Sequence, residues 1–190
     1  MVIVRRSAYT RRMKASSRSL ARWGAVAACL GGISYGAWGY LDNPDASGFV
    51  IGVVVPVLRV TTPALFLGGL LGLYYWLGRA GSPLQRTGLV VGLVGTMLGL
   101  FDGLDWWELK WWILLFAGLT VVGVSMVVED APRLLGVLVL VSGTLGWVSL
   151  LTDPAFSGVL VPMRLVHVVF AALFCLSWVA WGWVLFRRVS

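Results

Sequence analysis

Long apolar segments alternate with short polar segments along the chain. Six segments of 17 to 22 residues contain few charges: residues 22–41, 58–78, 86–102, 110–128, 133–151 and 165–186. A transmembrane helix needs about 20 mostly apolar residues to cross roughly 30 Å of hydrocarbon. In lipid, only helices and closed barrels satisfy all backbone hydrogen bonds, and these segments lack the period-2 alternation of barrel strands. The pattern predicts an all-α integral membrane protein with six transmembrane helices.

The apolar pattern repeats within the chain. The stretch from Asp42 to Phe66 resembles the stretch from Asp153 to Phe174, because each carries Asp, Pro, Ser-Gly, Val-Pro, Arg and Ala-Leu-Phe in the same order. The first, third and fifth segments also resemble one another, since each opens on Arg and leads to an Asp. Repeats of this kind would share one in-out orientation and would be related by an axis along the membrane normal. We therefore predict three hairpin pseudo-repeats in parallel orientation, residues 22–78, 86–128 and 133–186.

Composition and charge predict the environment and the orientation. Hydrophobic residues make up 59% of the chain and charged residues 12%, against about 45–50% and about 25% in soluble domains. Seven basic residues lie within residues 5–22, and alternation of six spans brings twelve of the fifteen basic residues to one side. The positive-inside rule makes that side cytoplasmic. We predict a basic cytoplasmic tail (residues 1–21), a membrane domain (residues 22–188) and both termini inside a cell membrane.

Three basic residues remain on the predicted outer side, each near the start of an even-numbered segment. We interpret them, with nearby carboxylates and the single histidine, as candidates for ion pairs or for an anion or lipid-headgroup site. The alternative is that the arginines snorkel to the outer headgroups. The candidate residues are Arg59, Lys110, Arg164, His167, Asp42, Asp45 and Asp153.

Apolar runs that contain proline precede two of these cations. Residues 49–58 lead to Arg59 and residues 159–163 lead to Arg164. Each run is long for a loop and too short to span a bilayer, so we expect it to lie in the outer interface or to re-enter the membrane. The alternative is that the runs extend the following helices. In that case Arg59 would lie below the headgroups and would need a partner.

Small residues recur four positions apart along the first and third segments. This spacing forms a flat helix face on which another backbone can approach closely, and such contact is the main source of helix association in lipid. We expect these faces to pack inside the monomer, and a homo-oligomer interface is the alternative. The residues concerned are Gly24, Gly32, Gly36, Gly88, Gly92, Gly95, Gly99 and Gly103.

Tryptophans fall near the ends of the predicted spans. Those near the outer boundary are Trp106, Trp107, Trp111 and Trp112, and those near the inner boundary are Trp23, Trp76 and Trp183. Indole rings favour the headgroup level, so we interpret these seven as interfacial. Trp178 and Trp181, further inside the sixth segment, are candidates for a core.

Motifs for metal, nucleotide or dithiol chemistry are absent from the sequence. No HExxH, Walker or CxxC pattern occurs, and a lone His167 cannot make a bis-histidine haem or a zinc site. We therefore predict no catalytic, cofactor-binding or metal-binding residue and a non-enzymatic protein. The glycine-rich hairpins that close on Asp153-Pro154 resemble those of six-helix acid-resistance membrane proteins. That resemblance covers about half of the chain and transfers neither a residue role nor an activity.

The predicted partners follow from the same charges. Residues 5–22 can lie along anionic inner-leaflet lipids, at about 1 kcal/mol per cation, and no nucleic acid is expected. The leading hypothesis is an accessory or assembly subunit of a membrane complex, with protein partner subunits or as a homo-oligomer. The rival is a small-solute or anion channel or transporter in which Arg59, Lys110 and Arg164 surround an outer vestibule. A third hypothesis is an intramembrane enzyme, for which the sequence offers only His167 and Asp153 as catalytic candidates.

Overall fold

The described part of the chain is helical throughout. The computed structural model describes residues 15–41, 47–77, 81–101, 108–129, 132–152 and 162–190. We number the helices α1 (Ala15–Leu41), α2 (Val55–Leu77, preceded by the π-helical turn Val50–Val54), α3 (Pro83–Leu100), α4 (Glu108–Val128), α5 (Arg133–Thr152) and α6 (Pro162–Val189). The described residues contain no strand. The all-α fold class is confirmed.

Four helical segments are long and apolar enough to cross a membrane. Within the described residues these are Val50–Leu77, Trp111–Val128, Arg133–Thr152 and Val168–Val189. Helices α1 and α3 are outside this set, since glycine, alanine and polar residues dilute their apolar character. The chain is therefore a helical membrane protein by composition, and the count of six spans stays a prediction.

The apolar run 49–58 is helical, so the expectation of an interfacial or re-entrant segment is wrong there. The Val55 N–H bonds to the Val50 carbonyl in the π-helical turn. The next residue, Pro56, has no N–H to continue the α-helical pattern. Val50–Leu77 is 28 residues long, or about 42 Å at 1.5 Å per residue. Arg59 therefore lies about 2.5 turns inside this helix rather than at its start.

The six helices form a ring of sequential neighbours. Helix α1 packs on α2, α3 on α4, α4 on α5, α5 on α6 and α6 back on α1, while α2 and α3 share a smaller contact. Neighbours run in opposite directions: a β-carbon at Gly24 of α1 would clash with Gly72 of α2, and Ser34 hydrogen-bonds Thr62 at 2.8 Å. Each predicted hairpin is thus a packed pair of helices. Their relation as repeats stays a prediction.

The arginines of the ring divide unequally between its two ends. At one end, helices α1, α3 and α5 begin and α2, α4 and α6 finish; we name it the basic end. Its described arginines are Arg18, Arg22, Arg86, Arg133, Arg187 and Arg188. Arg59 lies toward the opposite end. This distribution is the one that the positive-inside rule associates with a cytoplasmic face.

Aromatic side chains fill the middle of the ring. Tyr35 of α1 contacts Trp112 of α4 with ring centroids 5.2 Å apart. Phe116 of α4 contacts Phe174 of α6 at 5.4 Å, and Phe66 of α2 lies 6.0 Å from Phe174. Helices α1 and α4, and α4 and α6, are not neighbours in the ring, so these contacts cross its interior. The core is therefore a layer of interlocked rings in mostly edge-to-face contact.

Candidate functional site

Arg59 is the one predicted outer cation whose side chain the structure describes. It is exposed, and its guanidinium carbon lies 6.0 Å from the ring centroid of Trp38, one turn before the end of α1. A cation over an indole face at this distance contributes about 0.5–1 kcal/mol at an exposed site. The contact joins α1 to α2 at the end opposite the basic end.

The other members of the predicted outer site are described in part or not at all. Lys110 lies in the first turn of α4, and Arg164 and His167 lie in the first two turns of α6, so their backbones share the end of the ring on which α2 begins. The side chains of these three residues lie outside the described part. The carboxylates Asp42, Asp45 and Asp153 lie outside the described residues altogether. Their pairing with the cations stays a prediction.

The glycines of the first segment face other helices of the same chain. A β-carbon at Gly24 would lie 2.7 Å from the Gly68 carbonyl oxygen on α2, and one at Gly32 would lie 2.6 Å from the Cys175 carbonyl oxygen on α6. Real β-carbons do not approach backbone atoms that closely. Gly36 is less crowded, since its nearest neighbour is the Cys175 Sγ at 3.4 Å.

The glycines of the third segment lie mainly against α4. A β-carbon at Gly88 would meet the Gly118 carbonyl oxygen at 3.0 Å, and one at Gly95 or Gly99 would meet Trp111 at 2.8 Å. A β-carbon at Gly92 would point toward α2, with a Leu70 methyl at 3.3 Å. Gly103 lies outside the described residues.

Sequence reasoning missed equally tight glycines on α4 and α6. A β-carbon at Gly118 would lie 2.6 Å from the Gly88 carbonyl oxygen, and one at Gly182 would lie 2.9 Å from the Ala25 carbonyl oxygen. Neither glycine belongs to a four-residue ladder within its own helix. The available signal was the ladder on the opposite helix, which implies a small residue to receive it.

A polar network at the basic end closes the α3–α4 hairpin. Ser82 caps α3, since the Gln85 N–H donates to its hydroxyl at 3.3 Å and the Ser82 N–H donates to the Gln85 side-chain oxygen at 3.2 Å. The Gln85 amide donates to Glu129 at 3.1 Å, and Ser125 donates to the same carboxylate at 2.9 Å. Sequence reasoning missed these residues, although Ser-Pro-Leu-Gln is a capping-box signature.

Buried polar side chains in the described residues serve contacts within or between helices. Ser142 of α5 donates to Ser177 of α6 at 2.8 Å, and Thr96 donates to the Gly92 carbonyl of its own helix at 3.1 Å. Two buried donors of the described residues make no such contact: the indole N–H groups of Trp178 and Trp181 are fully buried and have no hydrogen-bond acceptor. Within the described residues, no three His, Cys, Asp or Glu side chains are grouped as metal ligands.

Comparisons with known proteins identify no relative. No protein-family model matches the sequence, and neither a curated protein nor a solved structure is significantly similar to the chain.

Proposed function

We propose that the chain is a non-enzymatic integral membrane protein that serves as an accessory or assembly subunit of a membrane complex. The observation that carries the proposal is the aromatic layer across the ring, where Tyr35 contacts Trp112 and Phe116 contacts Phe174. Side chains that interlock across the interior favour a rigid scaffold over a conduit. The buried hydroxyls support the same proposal, since pairs such as Ser34–Thr62 join helices.

The proposed arrangement in the membrane has six spans, three hairpin pseudo-repeats and both termini in the cytoplasm of a cell. The arginines of the basic end support this orientation. The repeats gain support from Phe66 and Phe174, which match in the sequence alignment and pack against each other in the core.

Cysteine labelling tests the orientation. In a background with Cys29→Ala and Cys175→Ala, single cysteines at Ser47 and Ser190 are expected to react with a membrane-impermeant maleimide from opposite sides. Both positions are exposed and lie at opposite ends of the ring. Ser19→Cys, an exposed position at the basic end, is the control and should label with Ser190→Cys. Labelling of Ser47→Cys and Ser190→Cys from the same side would contradict the six-span orientation.

An anion channel or transporter with an outer cationic vestibule is the second candidate. Arg59 favours it, because an exposed arginine about 2.5 turns inside a long apolar helix lies closer to the hydrocarbon than an ordinary loop cation. Lys110 and Arg164 lie on helices that begin at the same end. A vestibule there would offer three cations to an anion entering from the outer side.

Purification from mild detergent and reconstitution in liposomes discriminate between the two functions. An accessory subunit is expected to co-purify with a stoichiometric partner protein and to give no anion flux above that of empty liposomes. A channel is expected to purify alone and to conduct. In that case Arg59→Gln should lower the flux, whereas Arg133→Gln, a matched exposed arginine at the basic end, should not. A lone conducting chain would reject the accessory function.

A further inference from the structure

A groove of about 530 Å³ opens at the basic end, between the start of α1 and the end of α6. Its wall combines cationic and apolar side chains with two serines, Ser19 and Ser190. Arg18 and Arg22 supply positive charge, and Trp23, Val26, Phe186 and Val189 supply apolar surface. The described lining contains no acidic side chain. The groove therefore matches a ligand that carries an anion next to an apolar part.

Aromatic rings hold the cations of this region in place. The Arg22 guanidinium carbon lies 5.0 Å from the centroid of Phe186, and that of Arg187 lies 4.9 Å from the centroid of Trp183. The Phe186 and Trp183 rings are nearly parallel, with centroids 6.0 Å apart. A cation–π contact restrains a guanidinium and leaves its charge and N–H groups available to an anion. Arg22 is thus pre-positioned at the edge of the groove.

The exposed surface next to the groove suits the lipid interface. Trp23 is 71% exposed and Trp183 is 51% exposed, and both lie at the level where the helices reach the basic end. Indoles at this depth pack against glycerol and the first carbons of acyl chains. A free phosphate ion would use the two arginines and gain nothing from Trp23, Val26 or Val189.

We propose that this groove binds one anionic phospholipid of the leaflet at the basic end. The phosphate lies between Arg18 and Arg22, where guanidinium groups form charge-assisted hydrogen bonds with its oxygens. The glycerol and upper acyl chain lie against Trp23, Val26 and Val189, and the remainder of the lipid stays in the bilayer. The occupant ties α1 to α6 where the ring closes.

Native mass spectrometry of the full chain in detergent tests the site. The probes are phosphatidylglycerol and phosphatidylcholine with identical acyl chains, added at equal concentration. We expect one phosphatidylglycerol per chain to be retained in preference to phosphatidylcholine. Arg18→Gln with Arg22→Gln should lower this preference by roughly fivefold for each cation removed, from the usual contribution of a cation beside an anionic lipid. Both side chains are exposed, so the fold should tolerate the change.

Two further variants separate a built groove from general surface charge. Arg133→Gln removes an exposed arginine at the same end but outside the groove, and it should leave the preference unchanged. Val26→Trp keeps the charges and fills the apolar wall, and it should reduce retention of the lipid. Equal loss in Arg133→Gln, or unchanged retention in the double arginine variant or in Val26→Trp, would overturn the proposal. Displacement of the lipid by millimolar inorganic phosphate would also overturn it, because the site would then be one for a soluble anion.

Discussion

Replacement of Gly24 by leucine is expected to lower the free energy of unfolding by about 3 kcal/mol or more. At this position α1 and α2 approach so closely that a β-carbon would overlap the Gly72 Cα atom. The obstacle is backbone, which cannot rotate away as a side chain can. The two helices would have to separate along their whole contact, including the Ser34–Thr62 hydrogen bond.

Other glycines of the same helix provide a graded control for Gly24→Leu. Gly39 has no atom within 4 Å of the position that a β-carbon would take, so Gly39→Leu should leave stability nearly unchanged. Gly36→Ala should have a small effect, because its nearest neighbour lies at ordinary contact distance. Unfolding in a titration with denaturing detergent, followed by circular dichroism, measures all three. If Gly24→Leu and Gly39→Leu unfold at the same detergent concentration, Gly24 of α1 does not pack against Gly72 of α2.

Helix positions could be predicted from the sequence where an apolar segment has polar or proline boundaries. Helix α5 was predicted at residues 133–151 and extends over Arg133–Thr152, since charged residues and a proline enclose one uninterrupted apolar stretch. The prediction failed at the start of α2. The sequence predicts this span from residue 58, whereas the helix extends back through Pro56, which directly follows the first residue after a π-helical turn.

The burial of individual tryptophans could not be predicted in the same way. Trp111 is 2% exposed and Trp76 is 4% exposed, so their interpretation as interfacial residues is wrong. Sequence position gives the depth of a residue along the membrane normal, but it does not say which side of the helix faces the ring. The Trp111 ring turns inward because Gly99 of α3 leaves room for it. That choice depends on the register between two helices.

For the candidate outer site, the sequence likewise predicts at which end of the molecule the cations lie but not which residues they contact. The sequence predicted that Arg59, Lys110 and Arg164 share one end of the molecule, and their helices do begin at that end. The contact of Arg59 with Trp38 was not predicted, because it depends on how α1 and α2 align in space. Charge counting finds the end of a bundle at which a cation lies, and interhelical packing decides what the cation touches.

Replacement of Trp178 by alanine is expected to lower the free energy of unfolding by about 3–5 kcal/mol. This side chain is fully buried in α6 and stacks on Phe66 of α2 with centroids 4.1 Å apart. It also contacts Phe174 and Trp181. Alanine would leave a cavity where the rings of α2 and α6 meet, and glycines such as Gly69 beside the ring have no side chain to fill it.

The variant Trp178→Phe separates the contribution of the aromatic ring to stability from that of the indole N–H group. The indole N–H has no acceptor, and an unpaired buried donor costs about 1–3 kcal/mol. Phenylalanine removes that donor and keeps most of the aromatic contact with Phe66, so its stability should lie close to that of the parent. Trp183→Ala, at the half-exposed position of the same helix, serves as the control and should cost much less than Trp178→Ala. If Trp178→Ala and Trp183→Ala lose equal stability, the aromatic interior does not hold the ring of six helices together. If Trp178→Phe is as unstable as Trp178→Ala, the indole N–H has a partner and contributes to stability.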